Sequence, residues 1–231
     1  MKHLLLLLPA YFLLSFYFAD AQVYQTYYHV RQTVDHSLKL DIEYEGIATI
    51  SRSSYLYLQK TKESFRKDEI RKTAEDGSLI IYRPNPDSIP KIIYRSFDSS
   101  FIRWRISNSH DDIQYYLQEQ PGNKIQTVLL NESRNIRGFL CRKALFYHPS
   151  NSKEPVAVAW YCPDIQIYAG PADLSGLPGL IVEAEHFQTR EQFTLIRYKE
   201  VEETGSFSYW PVEFNGVLFV RLTKLPAGNK E

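Results

Sequence analysis

Apolar and polar residues alternate along most of this chain with the period of two that marks half-buried β-strands. The pattern predicts strands over residues 24–33, 38–44 and 48–60. The last carries Tyr55, Leu56, Tyr57 and Leu58 in succession and should be covered on both faces. Residues 61–76 lose the alternation. Lys62, Arg66, Lys67, Arg71 and Lys72 are balanced there by Glu63, Asp68, Glu69, Glu75 and Asp76, which reads as a solvated loop or a short surface helix. Short strands at 78–82 and 91–96 flank a loop in which Pro84, Pro86 and Pro90 each remove a ladder donor. Ile102, Trp104 and Ile106 alternate with Arg103 and Arg105, and Ile113, Tyr115 and Leu117 alternate with Gln114, Tyr116 and Gln118. Residues 101–106 and 113–118 therefore read as a hairpin. A short strand at 127–130 follows the reversal Pro121-Gly122-Asn123.

Residues 138–147 and 156–162 are separated by a polar loop containing Pro149 and Pro155, so they should fold back antiparallel. A symmetric turn sets Tyr147 opposite Val156, Leu145 opposite Val158, Lys143 opposite Trp160, and Cys141 opposite Cys162. The two cysteines are then cross-strand neighbours, bonded or left as buried free thiols; a register shift of one or two residues would part them. A short strand at 165–168 leads through Gly170-Pro171 to Gly176-Leu177-Pro178-Gly179-Leu180-Ile181. Pro178 presets φ and Gly179 tolerates positive φ, so Leu-Pro-Gly-Leu reads as a type II turn. Exposing Leu177, Leu180 and Ile181 would forgo several kcal/mol of burial, so this turn should pack inwards. Strands at 180–184 and 192–201, joined through 185–191, and a last strand at 217–223 complete the pattern. With no repeat and no long amphipathic helix, the expected fold is mainly β: a single domain, a curved antiparallel sheet or half-barrel with few short helices.

Composition sharpens this picture. The 17 Tyr, 13 Phe and 3 Trp suit pleated, half-buried surfaces. Lys+Arg and Asp+Glu stand at 27 each, so nothing suggests an electrostatic nucleic-acid binder. Residues 1–21 read as a secretory signal peptide: Lys2 and His3, an apolar run at 4–18, then Ala19-Asp20-Ala21 as a small-residue cleavage site. Pro9 and the cleavage pattern argue against an uncleaved anchor. The mature domain is then 22–231, exported to a compartment where a Cys141–Cys162 disulfide can form.

The chemistry-bearing motifs are mostly missing. There is no Gly-x-Ser-x-Gly elbow, no His-Glu-x-x-His pair, no Cys-x-x-Cys and no dinucleotide fingerprint. His29 and His36 can approach across a hairpin, but no third ligand accompanies them, so no metal is expected. The carboxylate pairs Asp111-Asp112, Glu183/Glu185 and Glu202-Glu203 read as surface charge, and Ser175 lacks an identifiable base. No catalytic residue and no cofactor is expected.

Cys141, Lys143-Ala144, Ala159-Trp160-Tyr161, Gly170-Pro171 and the run Gly176 to Ile181 together resemble the GLPGLI family, small secreted proteins of Bacteroidota. The position of Cys162 is more usually Thr in that family, so a bridge would be particular to this protein and its near relatives. Asp87-Ser88-Ile89 resembles the short O-glycosylation acceptor pattern of Bacteroidota, although an ordinary turn explains it as well. The family resemblance carries no established reaction. It implies an exported protein of the periplasm or outer-membrane periphery, with an outer-membrane transporter or other envelope protein as partner. The resulting expectation is a non-enzymatic interaction module. The alternative is a carrier of a lipid-like ligand, with Leu177, Leu180, Ile181, Trp160 and Trp104 near a concave face.

Overall fold

The computed structural model describes residues 23–35, 40–52, 54–62, 69–74, 76–82, 91–97, 102–106, 114–119, 125–148, 153–201, 213–214 and 217–222. Residues 1–21, expected to be a signal peptide, and His36, Asp87 to Ile89, Asp111-Asp112 and Glu202-Glu203 lie outside these residues. The strands are β1 (Val23–Asp35), β2 (Leu40–Ile50), β3 (Ser54–Thr61), β4 (Ile70–Thr73), β5 (Leu79–Tyr82), β6 (Lys91–Ser96), β7 (Ile102–Ile106) and β8 (Gln114–Glu119), followed by β9 (Gln126–Ile136), β10 (Phe139–Tyr147), β11 (Ala157–Cys162), β12 (Leu180–His186), β13 (Glu191–Val201), β14 (Glu213–Phe214) and β15 (Val217–Leu222). Thirteen of them form one sheet in the order β14-β15-β8-β7-β6-β3-β2-β1-β13-β12-β11-β10-β9, and β4 pairs with β5 apart from it. Every neighbouring pair is antiparallel except β15 against β8, which is parallel. No helix occurs among the described residues, so the few short helices expected are not found there, and none is long and apolar enough to cross a membrane.

The sheet is curled and not closed. Glu191 on β13 accepts a hydrogen bond from Gln59 on β3 (2.8 Å) and another from Lys91 on β6 (2.9 Å). In a flat sheet, strands four neighbours apart lie about 19 Å from each other, farther than a glutamate and a lysine reach together. The face carrying Tyr28, Val30, Ala48, Tyr55, Tyr57, Ile93, Phe193 and Ala184 is therefore the inside of the curl, and it holds the core.

Between β11 and β12 the chain leaves the ladder and fills that concavity. Ile167, Ala169, Ala172, Leu174 and Leu177 of this plug are all buried. A buried loop must satisfy its own polar backbone. It does so through Gly170 N to Leu174 O (2.8 Å), Gly176 N to Tyr168 O (2.8 Å) and Leu180 N to Ile165 O (2.9 Å). The strand expected at 165–168 is thus an irregular loop, with a single bridge between Ala169 and Ser175.

Three further expectations are corrected. The stretch 48–60 is two strands, because Ser51 and Ser54 close a tight reversal: Ser54 N donates to Ser51 Oγ and Ser51 N to Ser54 O. Ile70–Thr73 is strand β4, paired with Leu79–Tyr82, where a loop or helix was expected. The strand at 127–130 runs on to Ile136 and turns into β10 through Arg137 and Gly138, both at positive φ, the geometry two-residue hairpins favour. The β10–β11 register follows the symmetric turn, with Leu145 opposite Val158 and Lys143 opposite Trp160.

Candidate functional site

The signature hexapeptide is part of the core. Leu177 is 1 % exposed, Leu180 0 % and Ile181 1 %, whereas Gly176 and Pro178 face outwards. The type II turn is not formed: Gly179 has φ 158°, a positive φ far from the value of about 80° that such a turn needs, and Gly176 also has a positive φ, 86°. Close approach explains glycine at 179. A Cβ there would lie 2.2 Å from the Cys162 carbonyl oxygen and 2.8 Å from Pro163 Cα. Gly170 is similarly crowded by the Leu174 carbonyl and the Ile181 side chain. Tyrosines clamp the plug from the sheet: Tyr55 OH donates to the carbonyls of Gly170 and Ala172 (2.6 Å for the latter), and Tyr28 OH donates to Ile181 O (3.0 Å). Burial pushes the phenols of Tyr28, Tyr55 and Tyr57 up, so they remain protonated donors.

Beside the plug lies a polar cluster that the sequence pattern did not reveal. Glu191, placed by pattern in the connection 185–191, is buried at the start of β13. It accepts from Gln59 Nε2, Lys91 Nζ and Thr189 Oγ1, the last at 2.8 Å. Gln59 in turn accepts from Tyr57 OH (2.7 Å). Burial alone would raise the Glu191 carboxyl. The Lys91 charge and the hydrogen bonds of Lys91, Gln59 and Thr189 outweigh it and hold the group below its ordinary value. Near by, His186 Nδ1 accepts from Thr189 N (3.3 Å) and its Nε2 lies 4.0 Å from Asp173 Oδ1. A carboxylate saturated in this way ties β13, β3 and β6 together; its acceptor capacity is spent on the fold.

Cys141 and Cys162 are both buried and free. Arg142 pairs with Tyr161, one step along the ladder, so the two cysteines occupy facing strands at the next position. Burial, and then Cys162, push the Cys141 thiol up to about 11, which makes it a poor nucleophile at neutral pH.

The opposite face of the sheet carries a cross-strand row: Lys143, Trp160, Glu183, Thr194, His29, Glu45 and Lys60. The Arg134 guanidinium stacks 4.1 Å from the Trp160 ring centre and bonds Glu183. Trp160 therefore lies away from the plug, and the side chain of Trp104 is outside the described residues. The group expected to line an acyl site is dispersed, with its three aliphatic members consumed by core packing. His29 is engaged by Lys62 Nζ (3.1 Å), which also bonds Glu43 (2.7 Å). That hydrogen bond is the first cause holding the Glu43 carboxyl below its ordinary value. No group of three His, Cys, Asp or Glu suited to a metal occurs among the described residues.

Two features remain open. Strand β9 pairs only with β10 among the described residues and exposes Val128 (45 %) and Leu129 (50 %). At the start of the same strand, a cleft of about 660 Å³ lies between Ile125 and Thr127 on one wall, Ile50, Ser51 and Arg52 on another, Arg95 and Phe97 on a third, and Tyr168, Ser175 and Gly176 of the plug.

The plug and its flanking strands are also what other proteins share. Residues 148–183 match a family described as a protein of unknown function (Porph_ging). The matched stretch begins just after β10 and runs through β11 and the plug, which fills the curl, into β12. No curated protein matches the chain. Among solved structures, PNGF-II in the P21 space group is similar at 13% identity with a TM-score of 0.50, covering 87% of this chain and 32% of that one. PNGF-II in the C2 space group gives 12% identity and a TM-score of 0.52, over 87% of this chain and 31% of that one. The likeness is one of fold. The chain spans about a third of the length of the PNGF-II chains it matches.

Proposed function

We propose that this chain is a GLPGLI-type protein, exported to the periplasm or the outer-membrane periphery of a Bacteroidota cell, where it acts without catalysis by binding another envelope protein through strand β9. The observation that carries this reading is the filled concavity beside an open edge. Leu174, Leu177, Leu180 and Ile181 occupy the space an acyl chain would need. Strand β9, eleven residues long, pairs only with β10 among the described residues and exposes the apolar side chains of Val128 and Leu129. An edge strand presents unpaired backbone groups as a template for an added strand, and adding one is a common mode of protein recognition. An outer-membrane transporter is the kind of partner the GLPGLI resemblance implies.

The experiment is recovery of the protein from its host envelope in mild detergent, with and without the double substitution Val128→Glu, Leu129→Glu. The wild type should co-migrate with one stoichiometric membrane partner, and the variant should lose it while keeping its unfolding midpoint. A partner retained by the variant, or a wild-type chain that migrates alone, would overturn the β9 reading.

Export carries a second expectation. Cys141 and Cys162 should be joined in the mature protein, two thiols yielding two hydrogens to a disulfide-bearing oxidant of the envelope. Because the folded thiol is protonated and buried, the bond should form before the sheet closes. Intact mass under non-reducing conditions should be about 2 Da below the dithiol form. The bridge should stabilise the protein by roughly 3 kcal/mol against a reduced, alkylated control. Two alkylatable thiols in the protein unfolded without reductant would refute it.

A further inference from the structure

Two neighbouring strands and one distant strand bring an amine, an amide and a carboxylate to one buried point. Gln59 on β3 and Lys91 on β6 are direct cross-strand partners, so their side chains leave the sheet on the same face. Both end on Glu191, which reaches them from β13 across the curl. Gln59 Nε2 donates to Glu191 Oε1 (2.8 Å), and Lys91 Nζ donates to Glu191 Oε2 (2.9 Å). The carboxylate thus bridges a primary amine and a primary amide, one on each oxygen. The amide oxygen is engaged as well: Gln59 Oε1 accepts from Tyr57 OH (2.7 Å).

Amide exchange needs these groups in this arrangement. The amine is the nucleophile, and a shared acid–base group must move protons from it to the departing nitrogen. A donor must meet the carbonyl oxygen, where negative charge develops. Tyr57, Gln59 and Glu191 are buried, which restricts water as the competing nucleophile. Because one fold holds both reactants, the step is intramolecular.

We infer that Lys91 and Gln59 become joined by a side-chain isopeptide bond that the folded chain forms by itself, with Glu191 carrying the protons and Tyr57 holding the oxyanion. The ion pair of Lys91 with Glu191 is the reactant state. The Lys91 ammonium gives a proton to Glu191, and the free amine attacks Gln59 Cδ, placing negative charge on Oε1 against the Tyr57 hydroxyl. Glu191 passes that proton to Nε2 and takes a second from Nζ. The Cδ–Nε2 bond breaks, the carbonyl re-forms, and ammonia leaves with the second proton as ammonium. No oxidant, reductant or cofactor is required. Because Lys91 and its hydrogen bond hold the Glu191 carboxyl below its ordinary value, the neutral pair is a minority state and the reaction is slow, which a single event per chain tolerates. The bond closes the loop from 59 to 91, which carries the β4–β5 ribbon, and fastens β3 to β6. It turns over no substrate, and it stands whether or not a partner binds β9.

Peptide mapping of the full mature chain tests the bond, comparing freshly refolded protein with protein recovered from its host. The host-derived chain should yield a branched peptide joining the segments of Gln59 and Lys91, about 17 Da lighter than the two free peptides together, the mass of one ammonia. Freshly refolded chain should start as free peptides and convert with time. Mapping is needed because an N-terminal Gln22 also loses ammonia when it cyclises, so intact mass alone does not decide. Lys91→Arg, which keeps a cation beside Glu191 and so preserves the fold, should give no branched peptide, and neither should Glu191→Gln. Tyr57→Phe should convert about a hundredfold more slowly. Only free Gln59 and Lys91 peptides in the host-derived chain, a branched peptide in Glu191→Gln, or conversion as fast in Tyr57→Phe as in the wild type would overturn the assignment.

Discussion

Replacing Gly179 with alanine should destabilise the protein by more than about 3 kcal/mol, the upper range for overpacking at a site that cannot relax. The added Cβ would meet the carbonyl oxygen of Cys162 at 2.2 Å, its carbon at 2.8 Å and Pro163 Cα at 2.8 Å. All three are backbone atoms, so no rotamer change relieves the clash. Relief requires β11 to part from the start of β12, where Cys162 pairs with Leu180. The plug would move with them, and Tyr55 and Tyr28 would lose the carbonyls they clamp. Gly176→Ala is the informative control. It opens on empty space, so its cost is the strain of positive φ alone, about 1 kcal/mol. Urea unfolding of the two variants should separate them clearly. Equal midpoints would mean that the close approach at Gly179 does not hold in solution.

Glu191→Ala should cost about 3 kcal/mol, the lower part of the range for breaking a buried ion pair. The lower part applies because Lys91 retains 29 % side-chain exposure and can rehydrate in part. Gln59 and Thr189 would each lose an acceptor as well. The pH dependence has a definite sign. The folded carboxyl lies below its unfolded value of about 4.3, so its contribution is complete above that pH and is lost as pH falls through the folded value. Denaturation midpoints measured from pH 7 down to pH 3 should fall for the wild type over the lower part of that range. The same series for Glu191→Gln should be flatter. Parallel curves would show that another carboxylate governs acid stability.

Both predictions concern contacts that were invisible in the pattern of the chain, and the reason differs in each case. At Gly179 the residue was singled out correctly, but for a turn conformation it does not adopt. Gly and Pro mark a reversal, yet they do not reveal whether glycine is needed for its torsion or for its missing side chain. At Glu191 nothing local marks burial: a glutamate at the edge of a polar connection reads as solvent-exposed. Its partners Gln59 and Lys91 lie 132 and 100 residues away in the chain, and only the curl brings them within bonding distance.

The sequence by itself determined the strands and much of their pairing, because a period-two pattern and short turns are local properties. The β10–β11 register, with Lys143 opposite Trp160, follows from the loop between those strands, and the β7–β8 hairpin from its alternating arginines and glutamines. Where short-range side-chain bonds redirect the backbone, as at Ser51 and Ser54, the pattern ran through the turn unbroken and two strands were read as one. Tertiary structure alone decided the rest. It set the parallel pairing of β15 with β8, the folding of an irregular loop into the concavity, the burial of Glu191, and the meeting of Arg52 and Arg95 at one cleft. Each depends on how far the sheet curls. That curvature is set by the summed twist of thirteen strands and by the volume of the plug they enclose, which no window of neighbouring residues contains.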